Sequence, residues 1–125
     1  MIRTNFCSGY PLEDTYGYSR AVRVGNQIFV AGTTARDHHL EGDAYNQMIA
    51  AIATIAAALG EAGAELRHVV RTVVYVLDLA DVHLIARAHE ETFGRSRPAS
   101  TLVQVAALTP ASARVEIEAT AVIHD

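Results

Sequence analysis

A chain of 125 residues, half of them hydrophobic and 19% charged, has the composition of one globular domain and not of a disordered segment. All ten basic residues are arginine and the net charge is −4, which excludes lysine Schiff-base chemistry, lysine-anchored pyridoxal phosphate among it, and leaves no basic stripe for a nucleic-acid backbone. A single cysteine, Cys7, excludes an intrachain disulfide and fits a reducing cytoplasm. No apolar run approaches the ~20 residues of a membrane helix, and Met1–Phe6 lacks the apolar core of a secretory signal.

The first predicted elements are strands over Ala21–Val24 and Gln27–Ala31, joined by a Gly25-Asn26 turn. On simple alternation, Val22, Val24, Ile28 and Val30 share an apolar face, and Arg23, Phe29 and Ala31 the other. Arg36–Gly42 reads as a polar loop. Asp43 is placed to cap a helix reaching about Leu59, with Gly60 and Gly63 available to end it. Tyr45, Met48, Ile52, Ile55 and Leu59 recur at helical spacing along it.

Val69–Leu77 is apolar on both faces except at Arg71 and Thr72, the pattern of a central strand covered on two sides. Asp81 is placed to cap a second helix ending at Gly94, with Val82, Ile85, His89 and Phe93 on one stripe. Ser100–Ala107 and Arg114–Ile123 are the last strands, separated by a turn at Leu108–Ala111. This order predicts an α+β domain over 1–125, a single-layer sheet with both helices on one face. The opposite face, with Phe29, Val73, Tyr75, Val103 and Val105, is too apolar to stand in water, and a neighbouring subunit is the expected cover.

Two motifs carry the functional reading. Gly17-Tyr18-Ser19-Arg20-Ala21-Val22 runs on to Gly32, and Arg97-Pro98-Ala99-Ser100-Thr101 runs on to Arg114-Val115-Glu116-Ile117-Glu118-Ala119. Together they resemble the RidA/YjgF family of reactive-intermediate deaminases, formerly called L-PSP endoribonucleases, over about Tyr16 to Val122. The resemblance implies a chorismate-mutase-like fold, a homotrimeric barrel, and a small-molecule ligand in a cleft between subunits. It implies hydrolysis of a small imine or enamine to a carbonyl and ammonia, without cofactor or metal and with no nucleic-acid or membrane partner. Tyr18 and Glu116 match pocket residues, the glutamate helping to place the hydrolytic water, and Gly32 matches a backbone position that contacts the ligand. Thr33, Phe93, Thr101, Arg71 and Arg97 complete the expected substrate-binding set with Ser100.

The departures from the family pattern are specific. Ser100 stands where the family has a carboxylate-gripping arginine, Leu102 replaces a pocket cysteine, Ala31 a serine, and Ala86 an asparagine. His89 falls at an aromatic position one turn after Ala86. A charge-assisted hydrogen bond contributes about 1.5–3 kcal/mol, so this chain looks like the family's arginine-lacking branches, and 2-imino acids are expected to be weak substrates. Either the substrate lacks that carboxylate or another arginine reaches it, Arg71 and Arg97 being nearest in sequence.

His89 interrupts an apolar stripe. It reads either as a packing histidine with one satisfied nitrogen or as a general acid/base, since His alone titrates near neutrality unperturbed. Glu116 and Glu118 share one strand face ~6.6 Å apart; such a pair is ordinarily a solvated face, and the resemblance singles out Glu116. His38 and His39 are adjacent, where neighbouring side chains diverge, and suggest no metal site. The competing readings are a non-catalytic ligand-binding or regulatory trimer, and a tautomerase or lyase using the same pocket.

Overall fold

Strict alternation along the last strand organises the fold. In β6 (Val115–Val122) Val115, Ile117, Ala119 and Ala121 are buried, and the residues between them are half-buried. The computed structural model, which describes residues 1–125, places β6 in the middle of a six-stranded sheet ordered β1-β2-β3-β6-β4-β5. The other strands are β1 (Arg3–Phe6), β2 (Ala21–Val24), β3 (Gln27–Thr33), β4 (Val69–Val76) and β5 (Ala99–Gln104). All pairings are antiparallel except β4 with β5. A parallel pair needs a crossover, and α3 (Val82–Phe93) supplies it.

One sheet face is covered by α2 (Ala44–Glu61) and α3. Gln47, Met48, Ala51, Ile52, Ile55, Ala58 and Leu59 form the buried stripe of α2, where the alanines let the helix approach the strands closely. With Ile85, Ala88 and Phe93 of α3 and the helix-facing strand residues they make one core. The α+β class and the two helices on one face are as the sequence predicts. No helix is long and apolar enough to cross a membrane.

Several details differ from the sequence reading. The N-terminal β1 and the short α1 (Pro11–Tyr16) were not expected; six residues are too few to show a helical period, although Pro11 opens α1 and Gly17 closes it at φ 88°. The face assignment in β2 is inverted. Ala21 pairs with Val30 and Val22 with Phe29, because a two-residue turn sets even-numbered residues of one strand opposite odd-numbered ones of the next. Ala21 therefore joins Ile28 and Val30 in the core, while Val22 and Val24 lie on the far face and remain half-buried.

Asp43 caps α2 as expected, accepting from the Asn46 amide at 2.9 Å. Gly60 stays within the helix, and Gly63, at φ 87°, turns the chain out. Tyr45 packs at the edge of the core, half-buried: its hydroxyl donates to Glu91 at 2.6 Å and Arg87 stacks on its ring. Asp81 makes no cap; it is an ion pair with Arg114 at 2.8 Å, and Asp78 caps the turn that leads into α3. β5 stops at Gln104; the Val105 amide still donates to the Val76 carbonyl at 2.9 Å before the chain enters the loop to Arg114.

The face away from the helices carries Phe29, Val73, Tyr75 and Val103, with Phe29 and Val103 exposed by 46% and 40%. Polar groups interrupt it. The Tyr75 hydroxyl donates to Glu118, and that bond, with burial and the carboxylate's charge, pushes the phenol up to about 12. All six residues of β5 are exposed at the sheet edge.

Candidate functional site

Two recesses, on opposite sides of the sheet, hold most of the predicted site residues. The first is built around a buried ion pair. Arg20, 2% exposed at the start of β2, lies 3.4 Å from the Glu13 carboxylate of α1. Its Nη1 donates to the Gly32 carbonyl at 2.9 Å and to Thr33 Oγ1 at 3.0 Å, and its Nη2 donates to the Tyr18 hydroxyl at 2.9 Å. Glu13 in turn accepts from the Ser8 amide at 2.9 Å and from the Ser8 hydroxyl. Burial pushes the Glu13 carboxyl up, but the two Ser8 hydrogen bonds and the Arg20 charge outweigh it and leave the pKa lowered.

Glu116 sits beside this pair on β6. A Cβ on Gly32 would come within 3.0 Å of Glu116 Oε2 and 3.1 Å of its carboxyl carbon. Glycine lets the carboxylate lie against β3 without shifting, where the ladder changes register between Val30 and Thr33. Burial raises the Glu116 pKa above the ordinary carboxylate range; Arg20 opposes the rise and Glu118 adds to it. Tyr18 accepts from Arg20, so its own O–H is free to donate into the recess. Tyr10, Thr34, Arg36 and Thr109 complete the wall.

The second recess, of about 480 Å³, opens between α3 and β5. His89, Phe93, Arg97, Ser100 and Leu102 line it. Ser100 Oγ lies 2.7 Å from Thr72 Oγ1, which lies 2.9 Å from His89 Nε2. Thr72 Oγ1 thus ties up His89 Nε2, and no protein group bonds Nδ1. Burial lowers the His89 pKa, so the ring is neutral at pH 7. The ring also packs on Phe93, 4.8 Å between centroids. His89 thus has the satisfied nitrogen of a packing residue and an unbonded nitrogen beside a cavity.

The sequence profile of the family described as "Endoribonuclease L-PSP" matches residues 11–123. A mouse protein named 2-iminobutanoate/2-iminopropanoate deaminase is 34% identical over 109 residues, spanning 84% of this chain and 80% of that one. An uncharacterized Streptomyces coelicolor protein is 38% identical over 114 residues, 89% of this chain and 85% of that one. The crystal structure of a Mycobacterium tuberculosis member of the YjgF/YER057c/UK114 family superposes with a TM-score of 0.91 at 42% identity, covering 98% of this chain and all of that one. The chain belongs to the RidA/YjgF family. Its α+β fold is the family's chorismate-mutase-like fold.

Within that family fold the predicted residues fall as follows. Tyr18, Gly32 and Glu116 come together in the first recess, and His89, Phe93, Arg97 and Ser100 in the second. The two lie on opposite sides of the sheet: Thr72, which holds His89, is buried under the helices, whereas Glu116 pairs across from Tyr75 on the far face. One protomer alone therefore does not set His89 against Glu116. Arg71 and Thr101 are exposed on that far face and line neither recess. Thr33 is buried, donating to the Ala31 carbonyl and accepting from Arg20, so it braces the first recess from behind.

Sequence reasoning passed over Glu13, Arg20 and Arg36. Arg20 lies inside the Gly17–Val22 motif, at the head of a strand whose first residue is buried; a charge there is a signal of a buried pair. His38 and His39 do not diverge but stack, 4.0 Å between ring centroids.

Proposed function

We propose that this protein hydrolyses a small imine or enamine to the carbonyl compound and ammonia, in a cleft where the Glu116 recess of one protomer meets the Ser100 recess of the next in a homotrimer. The carrying observation is Glu116 itself, a carboxylate held against Gly32 with a raised pKa, beside a Tyr18 hydroxyl fixed by Arg20. The exposed apolar residues of the far sheet face and of β5 support the association.

In this reading Glu116 takes a proton from water as its oxygen adds to the C=N carbon, while Tyr18 donates to the nitrogen. The resulting carbinolamine returns its hydroxyl proton to the Tyr18 phenolate as it expels ammonia, while the proton held by Glu116 passes, directly or by way of His89 Nδ1, to the leaving nitrogen, which restores both residues. An imine needs no covalent nucleophile, so a placed water and a proton source suffice. Phe93, Ser100 and Arg97 line the substrate's remaining surface from the neighbouring protomer. Imines generated in situ by an amino acid oxidase, followed by their decay, test the reading. Glu116→Gln is expected to slow hydrolysis ~10²-fold or more; a Glu116→Gln variant as fast as wild type on every imine hydrolysed would refute it.

A further inference from the structure

The Glu116 recess contains two arginines, and their charges are used differently. Arg20 is neutralised by Glu13 and spends its donors on Gly32, Thr33 and Tyr18. Arg36 has no carboxylate partner: the ion pairs are Arg20–Glu13, Arg67–Glu65, Arg87–Glu91 and Arg114–Asp81. The guanidinium's one hydrogen bond to the protein is from Nη2 to the Ser8 hydroxyl at 3.1 Å. Its guanidinium lies over the Tyr10 ring, 4.5 Å from the centroid. Stacking and the Ser8 bond fix the fork without consuming it, and most of its five N–H donors remain for a ligand.

The position is also costly for an isolated cation. Arg36 is half-buried; burial first and the neighbouring Arg20 charge second pull its pKa down, and the Glu13 carboxylate, too far for an ion pair, opposes them only in part. An anion at this point relieves both. The enclosed space of the recess within one protomer is about 60 Å³, room for two waters or one carboxylate group. Arg97, by contrast, is exposed beside Ser100, where water screens its charge.

We propose that Arg36 binds a carboxylate group of the substrate within the Glu116 recess, so that this protein takes small anionic imines gripped from the Tyr18–Glu116 side and not from the Ser100 side. This rests on the assignment of Glu116 to the reacting end of the site. Arg36 thereby supplies the charge that Ser100 lacks, from a different strand end and a different recess. Because a guanidinium matches a carboxylate with two parallel hydrogen bonds, it also sets which face of the C=N bond is turned towards Glu116.

Binding can be read apart from turnover. The probes are 2-oxobutanoate and its uncharged amide, 2-oxobutanamide, titrated into the assembled protein by calorimetry or by NMR shifts. Wild type is expected to bind the acid ~10- to 100-fold more tightly than the amide, the scale of one charge-assisted contact. Arg36→Gln is expected to abolish that preference, Arg36→Lys to keep part of it, and Arg67→Gln, on an exposed surface pair, to leave it unchanged. If Arg36→Gln does not fold, Arg36→Lys decides: a reduced preference supports the assignment and an undiminished one overturns it. The proposal is also overturned if wild type shows no preference, if Arg36→Gln retains it, or if it is lost in Arg97→Gln while Arg36→Gln keeps it. None of these outcomes depends on whether Glu116→Gln abolishes hydrolysis, so the two assignments fail separately.

Discussion

The Glu116 recess and the Ser100 recess are built from opposite materials. The first is a cross-braced set of charges, with Glu13 and Arg20 buried, Glu116 half-buried beside them, and Arg20 joining three chain segments. The second is uncharged at its floor: two hydroxyls and a neutral imidazole in a line, bordered by Phe93 and Leu102, with Arg97 at the exposed margin. Buried charges held in a fixed geometry favour chemistry, whereas a neutral hydroxyl line with room beside it favours shape selection. The sequence resemblance leads one to expect a carboxylate-binding arginine at Ser100; the recess there has no charge at its floor, and the buried charges lie in the other.

That contrast can be broken first at its foundation. Glu13→Ala leaves Arg20 buried without a counter-ion, and such a loss costs about 3–5 kcal/mol. Thermal melts should show a large drop in Tm together with loss of the Tyr18 and Gly32 geometry; a near-wild-type Tm would mean that the pair does not brace the recess. Because the folded pKa of Glu13 is lowered, its contribution is present above the ordinary carboxylate value and is lost as pH falls through the folded one. Acid unfolding of wild type should therefore be steeper than that of Glu13→Ala.

The next test concerns the catalytic carboxylate. The folded pKa of Glu116 is raised, so its ionised form costs stability, and that cost appears as pH rises through the folded value. Glu116→Gln should match or exceed wild type in stability at neutral pH while losing ~10²-fold or more in hydrolysis. If Glu116 is the base, the acid limb of the rate profile should lie above the ordinary carboxylate range and vanish in the glutamine variant. A profile with that limb unchanged would assign it to another group.

A smaller effect is expected across the sheet. Ser100→Ala removes a neutral hydroxyl at the end of the relay, leaves Thr72 on His89, and should cost about 1 kcal/mol or less in stability. A loss of hydrolysis as deep as that of Glu116→Gln would mean that the two recesses are not divided as described.

Most of the fold was legible because its strongest signals are periodic. Met48, Ile52, Ile55 and Leu59, picked out by helical spacing, are all buried in α2, and Val115, Ile117 and Ala119, which alternate with Glu116 and Glu118, are buried in β6. What escaped depends on pairing. The parity of the two-residue hairpin turned Val22 and Val24 away from the core, and Asp81 found Arg114 before it could cap α3. Among site residues, Gly32 and Glu116 were visible through the motif, but the reason for Gly32 is a 3.0 Å approach that no spacing reveals. Arg36 sits in what reads as a polar loop, and its lack of a partner is a property of three dimensions. Arg71 looked suitable by proximity in sequence and Thr101 by a donor hydroxyl next to Ser100, yet strand alternation sends both to the far face.

The central claim is that each working site joins Glu116 of one protomer to His89 of the next. The most direct measurement mixes two variants, Glu116→Gln and His89→Ala, each expected to assemble and each ~10²-fold impaired, by unfolding them together and reassembling at equal amounts. If the halves come from different protomers, random mixing rebuilds intact sites and the mixture recovers about a quarter of the wild-type rate. A mixture no faster than the mean of the two separate variants would contradict the account.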